Sequence, residues 1–188
     1  MLNSINRASK LLSACAATIN NIQSADVSRL VTLLRYLFEA KSTLYVFANG
    51  GLAAEAVHLW TDMFVPSRTA MLPRTIVPAA SGPLITMLIN DNPPGMATAA
   101  YLQRAGELND GVLIMSHSGG TGKSIDLVNG ANVARDRGMR TLAVTTESHN
   151  ALATASEQVV VIGNPTLPPP VFEVAVAAYL HAALEEMS

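Results

Sequence analysis

The chain has 188 residues, 49% of them hydrophobic and only 14% charged, which excludes intrinsic disorder and fits one ordinary globular domain. A net charge of −2 gives no basic field for nucleic acid, and the single cysteine, Cys15, excludes a disulfide framework and a cysteine-rich zinc site. No run approaches the ~20 apolar residues of a membrane span. The opening MLNSINRASKLLSACAATINN is broken by Asn, Arg, Ser and Lys, unlike a signal peptide, so a cytoplasmic protein without membrane or nucleic-acid partners is expected. Scarce aromatics and abundant alanine suit helices packed closely on a sheet.

The first 41 residues read as a helical pair, over 2–24 and 27–40. Leu11, Leu12, Cys15 and Ile19 fall at helical spacing, and so do Val27, Leu30, Val31, Leu34, Leu37 and Phe38. Ser24-Ala25-Asp26 is expected to cap the second helix. From residue 42 short β-rich runs take over, at 43–48, 74–79, 111–116, 140–146 and 158–163. They alternate with helical stretches near 52–63, 82–89, 97–105, 123–137, 148–155 and 170–187. The runs are nearly continuously apolar, as for strands buried on both faces. Helical crossovers between them imply a parallel, doubly wound sheet. The expectation is one α/β domain over residues 1–188, with Pro168-Pro169-Pro170 as punctuation before the last helix.

In such sheets ligands gather at the carboxyl ends of the strands. After the first strand comes Asn49-Gly50-Gly51, and after the third Ser116-His117-Ser118-Gly119-Gly120-Thr121-Gly122, each entering a helix. Glycines let the backbone approach a ligand, and free N–H groups at a helix start favour an anion. The hydroxyls of Ser116, Ser118 and Thr121 suit the oxygens of a phosphate monoester. Tight βα turns built of Gly and Ser are the plainer alternative. GTGKS at 120–124 also resembles the end of a nucleotide-binding P-loop, but that motif needs Gly where His117 stands. Glu55, His58 and Asp62 share one helix face, set to move a proton, hold a metal or simply meet solvent. Asn90-Asp91 reads as a turn.

VFANGGLAAEAVHLWTDM resembles the G-N-G-G-S-x-x-x-A-x-H-F-A-x-E-L stretch of phosphoheptose isomerases. LIMSHSGGTGKSIDLVNGANVARDRGMRTLAVT is similar to their S-T-S-G-N-S segment with its helix and next strand. The segment between these motifs, ND…YLQRAGE…DGVL, is also parallel. The chain is thereby identified as a member of the SIS (sugar isomerase) domain family along essentially its whole length. The resemblance implies a flavodoxin-like αβα sandwich with a five-stranded parallel sheet, binding a sugar phosphate. It implies phosphate contacts at Asn49, Gly50, Gly51, Ser116, Ser118 and Thr121, with Asp91 near the active site. His58 matches a histidine that binds zinc in some relatives, and Asp62 falls where they have a catalytic Glu. Leu52 replaces a phosphate-donating Ser.

The last helix admits two registers against the family's Q-E-x-H-x-x-x-x-H. One aligns the glutamates and puts Phe172, Ala175 and Leu180 at the functional positions. The other puts Glu173 at the Gln and His181 at the catalytic His. Neither keeps the second zinc histidine, so no cofactor is expected. VFEVAVAAYLHAAL is closer to the ending of 6-phospho-3-hexuloisomerases, where the helix glutamate, Glu173 here, would be a catalytic base. The favoured function is an aldose–ketose isomerase acting on sedoheptulose 7-phosphate or a similar sugar phosphate, with Asp62, Glu173 and His181 as proton-transfer candidates. The alternative is a non-catalytic SIS module binding a phosphosugar or a protein. The resemblance also implies a homotetramer with active sites shared between subunits.

Overall fold

The computed structural model describes residues 2–65 and 71–188. Two helices, α1 (Leu2–Asn20) and α2 (Ser24–Ala40), lead into β1 (Thr43–Ala48) and α3 (Gly51–Asp62). Next come β2 (Arg74–Ile76), α4 (Gly82–Asp91), α5 (Ala97–Ala105), β3 (Gly111–Met115) and α6 (Ile125–Asp136). The chain closes with β4 (Arg140–Thr145), the short α7 (Ala151–Ala155), β5 (Gln158–Val161) and α8 (Pro169–Glu185).

All five strands are parallel, in the order β2-β1-β3-β4-β5. Alternate residues of β1 divide the core. Leu44, Val46 and Ala48 face α2, α3 and α8, whereas Tyr45 and Phe47 face α5 and α6. This is the αβα sandwich read from the sequence, with the period-2 alternation of a strand choosing the layer. The chain reverses its direction of winding between β1 and β3, so a crevice opens where the loops after these strands diverge.

Burial on both faces holds for β1 and β3, while the edge strands β2 and β5 are partly exposed. The expected run 74–79 stops at Ile76, and a 3-10 turn at Pro78–Ala80 follows, because proline lacks the N–H that the ladder needs. The helical pair also differs in detail. α1 ends at Asn20, and α2 starts at Ser24 with Gln23 as its N-cap. Gln23 makes no side-chain cap, and Asp26 lies inside the first turn, where its charge favours the helix N-terminus.

Below the site, Asp110 fastens the amino ends of the central strands. One of its carboxylate oxygens accepts the Thr43 N–H at 2.8 Å and the other the Glu107 N–H at 3.0 Å. Tyr45 donates to the Ala105 carbonyl at 2.6 Å, and burial, with Asp110 nearby, pushes its phenol up to about 12. On the other face Tyr179 donates to the Asp26 carbonyl at 3.2 Å, and burial raises its pKa as well.

Candidate functional site

The loop after β3 is fixed before any ligand arrives. Ser116 is buried, and its N–H donates to the Val144 carbonyl at 3.0 Å. Gly119 and Gly120 turn the chain at φ +60° and +93°. A Cβ on Gly119 would overlap the Asn150 side chain, and one on Gly120 would overlap Val128. Both positions therefore need glycine for conformation and for space. His117 points away from the hydroxyls. Its Nε2 lies 2.6 Å from the Leu167 carbonyl, and its ring meets Phe172 edge-on. The loop is thus tied to the strap that enters α8.

The hydroxyls form a strip. The Ser116 and Ser118 oxygens are 3.4 Å apart, and Ser118 donates to the Ser124 hydroxyl at 3.1 Å. Thr121, expected as the third phosphate hydroxyl, instead donates to the Ser118 carbonyl at 3.1 Å. Ser124, which sequence reasoning passed over, stands at the entry to α6. A signal for it was present: the glycines at 119, 120 and 122 spend residues on the turn and postpone the next useful hydroxyl. The P-loop reading fails on His117, whose ring is engaged elsewhere. The side chain of Lys123, its cation, lies outside the described residues.

The loop after β1 plays two parts. The Asn49 amide donates to Asp126 at 3.0 Å, spanning the crevice between the β1 and β3 loops. Gly50 adopts φ +62°, and a Cβ on Gly51 would overlap the Glu173 carboxylate. Glu173 therefore lies against the start of α3, where amide N–H groups and the helix dipole favour a negative charge. Asp91 ends α4 in an exposed position, outside the crevice lining.

Further along the α3–α8 seam a second cluster forms. His181 Nε2 is 3.2 Å from one oxygen of Asp62, and His58 Nε2 is 3.7 Å from the other. The two imidazoles meet edge-on with centroids 5.0 Å apart, and Glu55 lies 3.8 Å from His58 Nδ1. The other nitrogen of His181, Nδ1, is 2.7 Å from the Ala177 carbonyl, an acceptor, so Nδ1 carries a proton. A neutral His181 would then turn a bare lone pair towards a carboxylate. A proton or a cation between Nε2 and the Asp62 oxygen would make that contact favourable.

This geometry also separates the two registers of the last helix. Phe172, Ala175 and Leu180 are buried in the core, while Glu173 and His181 face α3. His58 of α3, the residue that matches a zinc histidine of some relatives, lies edge-on to His181 of α8. One ligand atom each from His58, Asp62 and His181 lies within 4.8 Å of the others. Two imidazoles and a carboxylate are a donor set used by catalytic zinc sites. A backbone carbonyl on the far nitrogen of a histidine is a usual support for such a ligand. The donor chemistry fits zinc.

Glu173 and His181 are two helical turns apart, roughly 12 Å along α8 at ~1.5 Å per residue. The structure therefore gathers Ser116, Ser118, Ser124, Asn49 and Glu173 around the strand ends, and sets His58, Asp62 and His181 apart on the outer layer.

A family model described as "SIS domain" matches residues 5–146. A phosphoheptose isomerase of Chlorobium phaeobacteroides is 30% identical over 149 residues, covering 77% of this chain and 64% of that protein. A probable phosphoheptose isomerase of Thermoplasma volcanium is 28% identical over 129 residues, 67% of this chain and 63% of that protein. The chain thus covers a little under two thirds of the length of these curated relatives. Among solved structures, phosphoheptose isomerase GmhA of Neisseria gonorrhoeae superposes with a TM-score of 0.80 at 16% identity, over 100% of this chain and 98% of that one. The phosphoheptose isomerase of Francisella tularensis gives 0.75 at 19% identity, over 100% and 97%. At these identities the superpositions speak for the fold.

Proposed function

Because this chain belongs to the SIS domain family, we propose that it binds a sugar phosphate and interconverts its aldose and ketose forms, with sedoheptulose 7-phosphate or a similar compound as substrate. The observation that carries this reading is the hydroxyl strip at the end of β3, with a carboxylate, Glu173, held nearby at the start of α3. Ser116, Ser118 and Ser124 receive the phosphate oxygens, and the anchored phosphate supplies binding energy that orients the reacting carbons. Glu173 takes the proton between C1 and C2 and returns it to the neighbouring carbon of the enediol. His181 and Asp62 exchange protons with the sugar oxygens.

As an alternative to that proton exchange, His58, Asp62 and His181 would hold a zinc ion as its ligands. Bound there, the metal would polarise a sugar oxygen.

This chemistry needs a His181–Asp62 pair beside the sugar carbons at Glu173, and the chain's own His181 lies two helical turns from Glu173, so we propose a shared site in a homotetramer. Supporting it, residues 6–13 of α1 are exposed on all sides, with Leu12 at 69% exposure. A helix with so little cover is marginal alone. Among the described residues no helix is long and apolar enough to cross a membrane, and a cytoplasmic setting completes the proposal.

Ser118→Ala tests the anchor. Removing a donor to a charged acceptor costs about 1.5–3 kcal/mol, so sugar-phosphate affinity should fall roughly tenfold to a hundredfold. Calorimetry showing unchanged affinity, or no binding of any phosphosugar or inorganic phosphate, would make the loop a structural turn. A phosphosugar that binds without being converted would point to the binding-module alternative.

A further inference from the structure

The crevice between the β1 and β3 loops is a cleft of about 560 Å³, within the range of small-molecule sites. Ser124, the last hydroxyl of the strip, lines it, and so does Asp126, two residues on. Neither the family motifs nor the proton-transfer scheme uses Asp126. Its carboxylate is braced from two sides: Asn49 donates to one oxygen at 3.0 Å and Thr98 to the other at 3.1 Å. Such bracing fixes the group, yet a carboxylate has about four lone-pair sites, which leaves acceptor capacity facing the cleft. The wall formed by Ile85, Leu88, Ile89, Pro93 and Pro94 is apolar.

We propose that Asp126 is a specificity residue: it accepts a hydroxyl of the sugar chain laid in the cleft, and it excludes a second phosphate, so that the site takes sugar monophosphates and rejects bisphosphates. The proposal rests on the reading that the serine strip anchors a phosphate. A sugar chain entering from that strip presents hydroxyls along one edge and C–H groups on its face. The Asp126 edge satisfies the first and the apolar wall covers the second. A fixed negative charge beside the anchored phosphate tolerates a hydroxyl donor. A second phosphoryl group would have to give up water against a like charge, with an apolar wall on its other side.

An acid in the first turn of α6 also favours the helix by itself. The test therefore compares ligands rather than stabilities. Calorimetry with fructose 6-phosphate and fructose 1,6-bisphosphate is run on the full chain, on Asp126→Asn and on Thr98→Val. For the parent the monophosphate should bind at least tenfold tighter. In Asp126→Asn that preference should shrink at least tenfold, chiefly because the bisphosphate gains. Thr98→Val removes one brace and keeps the charge, so the monophosphate should weaken while the bisphosphate stays excluded. An unchanged preference in Asp126→Asn, or equal weakening of both ligands, assigns Asp126 to helix stability and overturns the proposal while the anchor reading stands. If inorganic phosphate and both sugars fail to bind the parent chain, the anchor reading falls and this proposal falls with it.

Discussion

The loop after β3 and the seam between α3 and α8 both carry candidate chemistry, but they are held in different ways. The loop is determined from within. Its glycines fit only as glycine, and His117, Ser116 and Gly119 are each bonded to a neighbouring segment. The seam is a surface on which two histidines flank one carboxylate, with the His58 side chain 50% and the His181 side chain 44% exposed. A preformed loop can recognise an anion unaided. The open cluster needs a proton, a cation or a neighbouring surface to complete it.

The strongest way to break the contrast is to strain the loop. Gly119→Ala forces a Cβ into a left-handed conformation and displaces Asn150, which caps α7 by accepting the Ala153 N–H at 2.8 Å. The strain and the lost cap together should cost about 2–4 kcal/mol. Chemical denaturation should show that loss, and calorimetry should show phosphate binding lost in the fraction that remains folded. A stable Gly119→Ala chain with parental affinity would mean that the loop is not held as described.

The seam is sharpened by a metal titration. The geometry predicts one zinc per chain. His181→Ala should weaken it by more than the roughly 10–100-fold that loss of a supporting partner costs. The last-helix motif taken alone predicts activity that survives chelators, so chelation separates the two expectations. A parent chain that binds no zinc would contradict the metal site.

The smallest effect concerns the frame shared by both regions. Tyr45 has its pKa raised from 10.0 to about 12, so the folded state favours the neutral phenol. That contribution is complete below pH 10, and it is lost as pH rises from 10 towards 12, because the unfolded chain ionises first. Tyr45→Phe should cost about 1 kcal/mol at neutral pH through the lost bond to Ala105. It should also flatten the alkaline decline seen in melts between pH 8 and 12. An identical decline in Tyr45→Phe would assign it to other groups, Tyr179 first.

Periodicity and glycine placement made the fold legible: the apolar runs at 43–48 and 111–116 and the helix at 97–105 stand within a residue of the observed elements. The turn after β3 was legible as a loop, but not that Ser124 would join its hydroxyls. That Ser118 meets Ser124 while Thr121 turns to the Ser118 carbonyl depends on how Gly119, Gly120 and Gly122 bend the backbone. The partnership of His181 with Asp62 was hidden for a different reason. It joins residues 119 positions apart across two helices, and spacing along α8 alone says nothing about what α3 presents to it. Asp126 escaped notice because an acid in a first helical turn has an ordinary explanation until Asn49 and Thr98 are seen to converge on it.

In the function proposed here, the strand-end site with Glu173 catalyses isomerisation of a sugar phosphate. Proton NMR of sedoheptulose 7-phosphate incubated with the protein in D2O tests it most directly. Aldose anomeric signals should grow with partial deuterium incorporation at the reacting carbons, and both should be lost in Glu173→Gln while binding persists. An unchanged spectrum from a protein that demonstrably holds the sugar phosphate, or full turnover by Glu173→Gln, would contradict it.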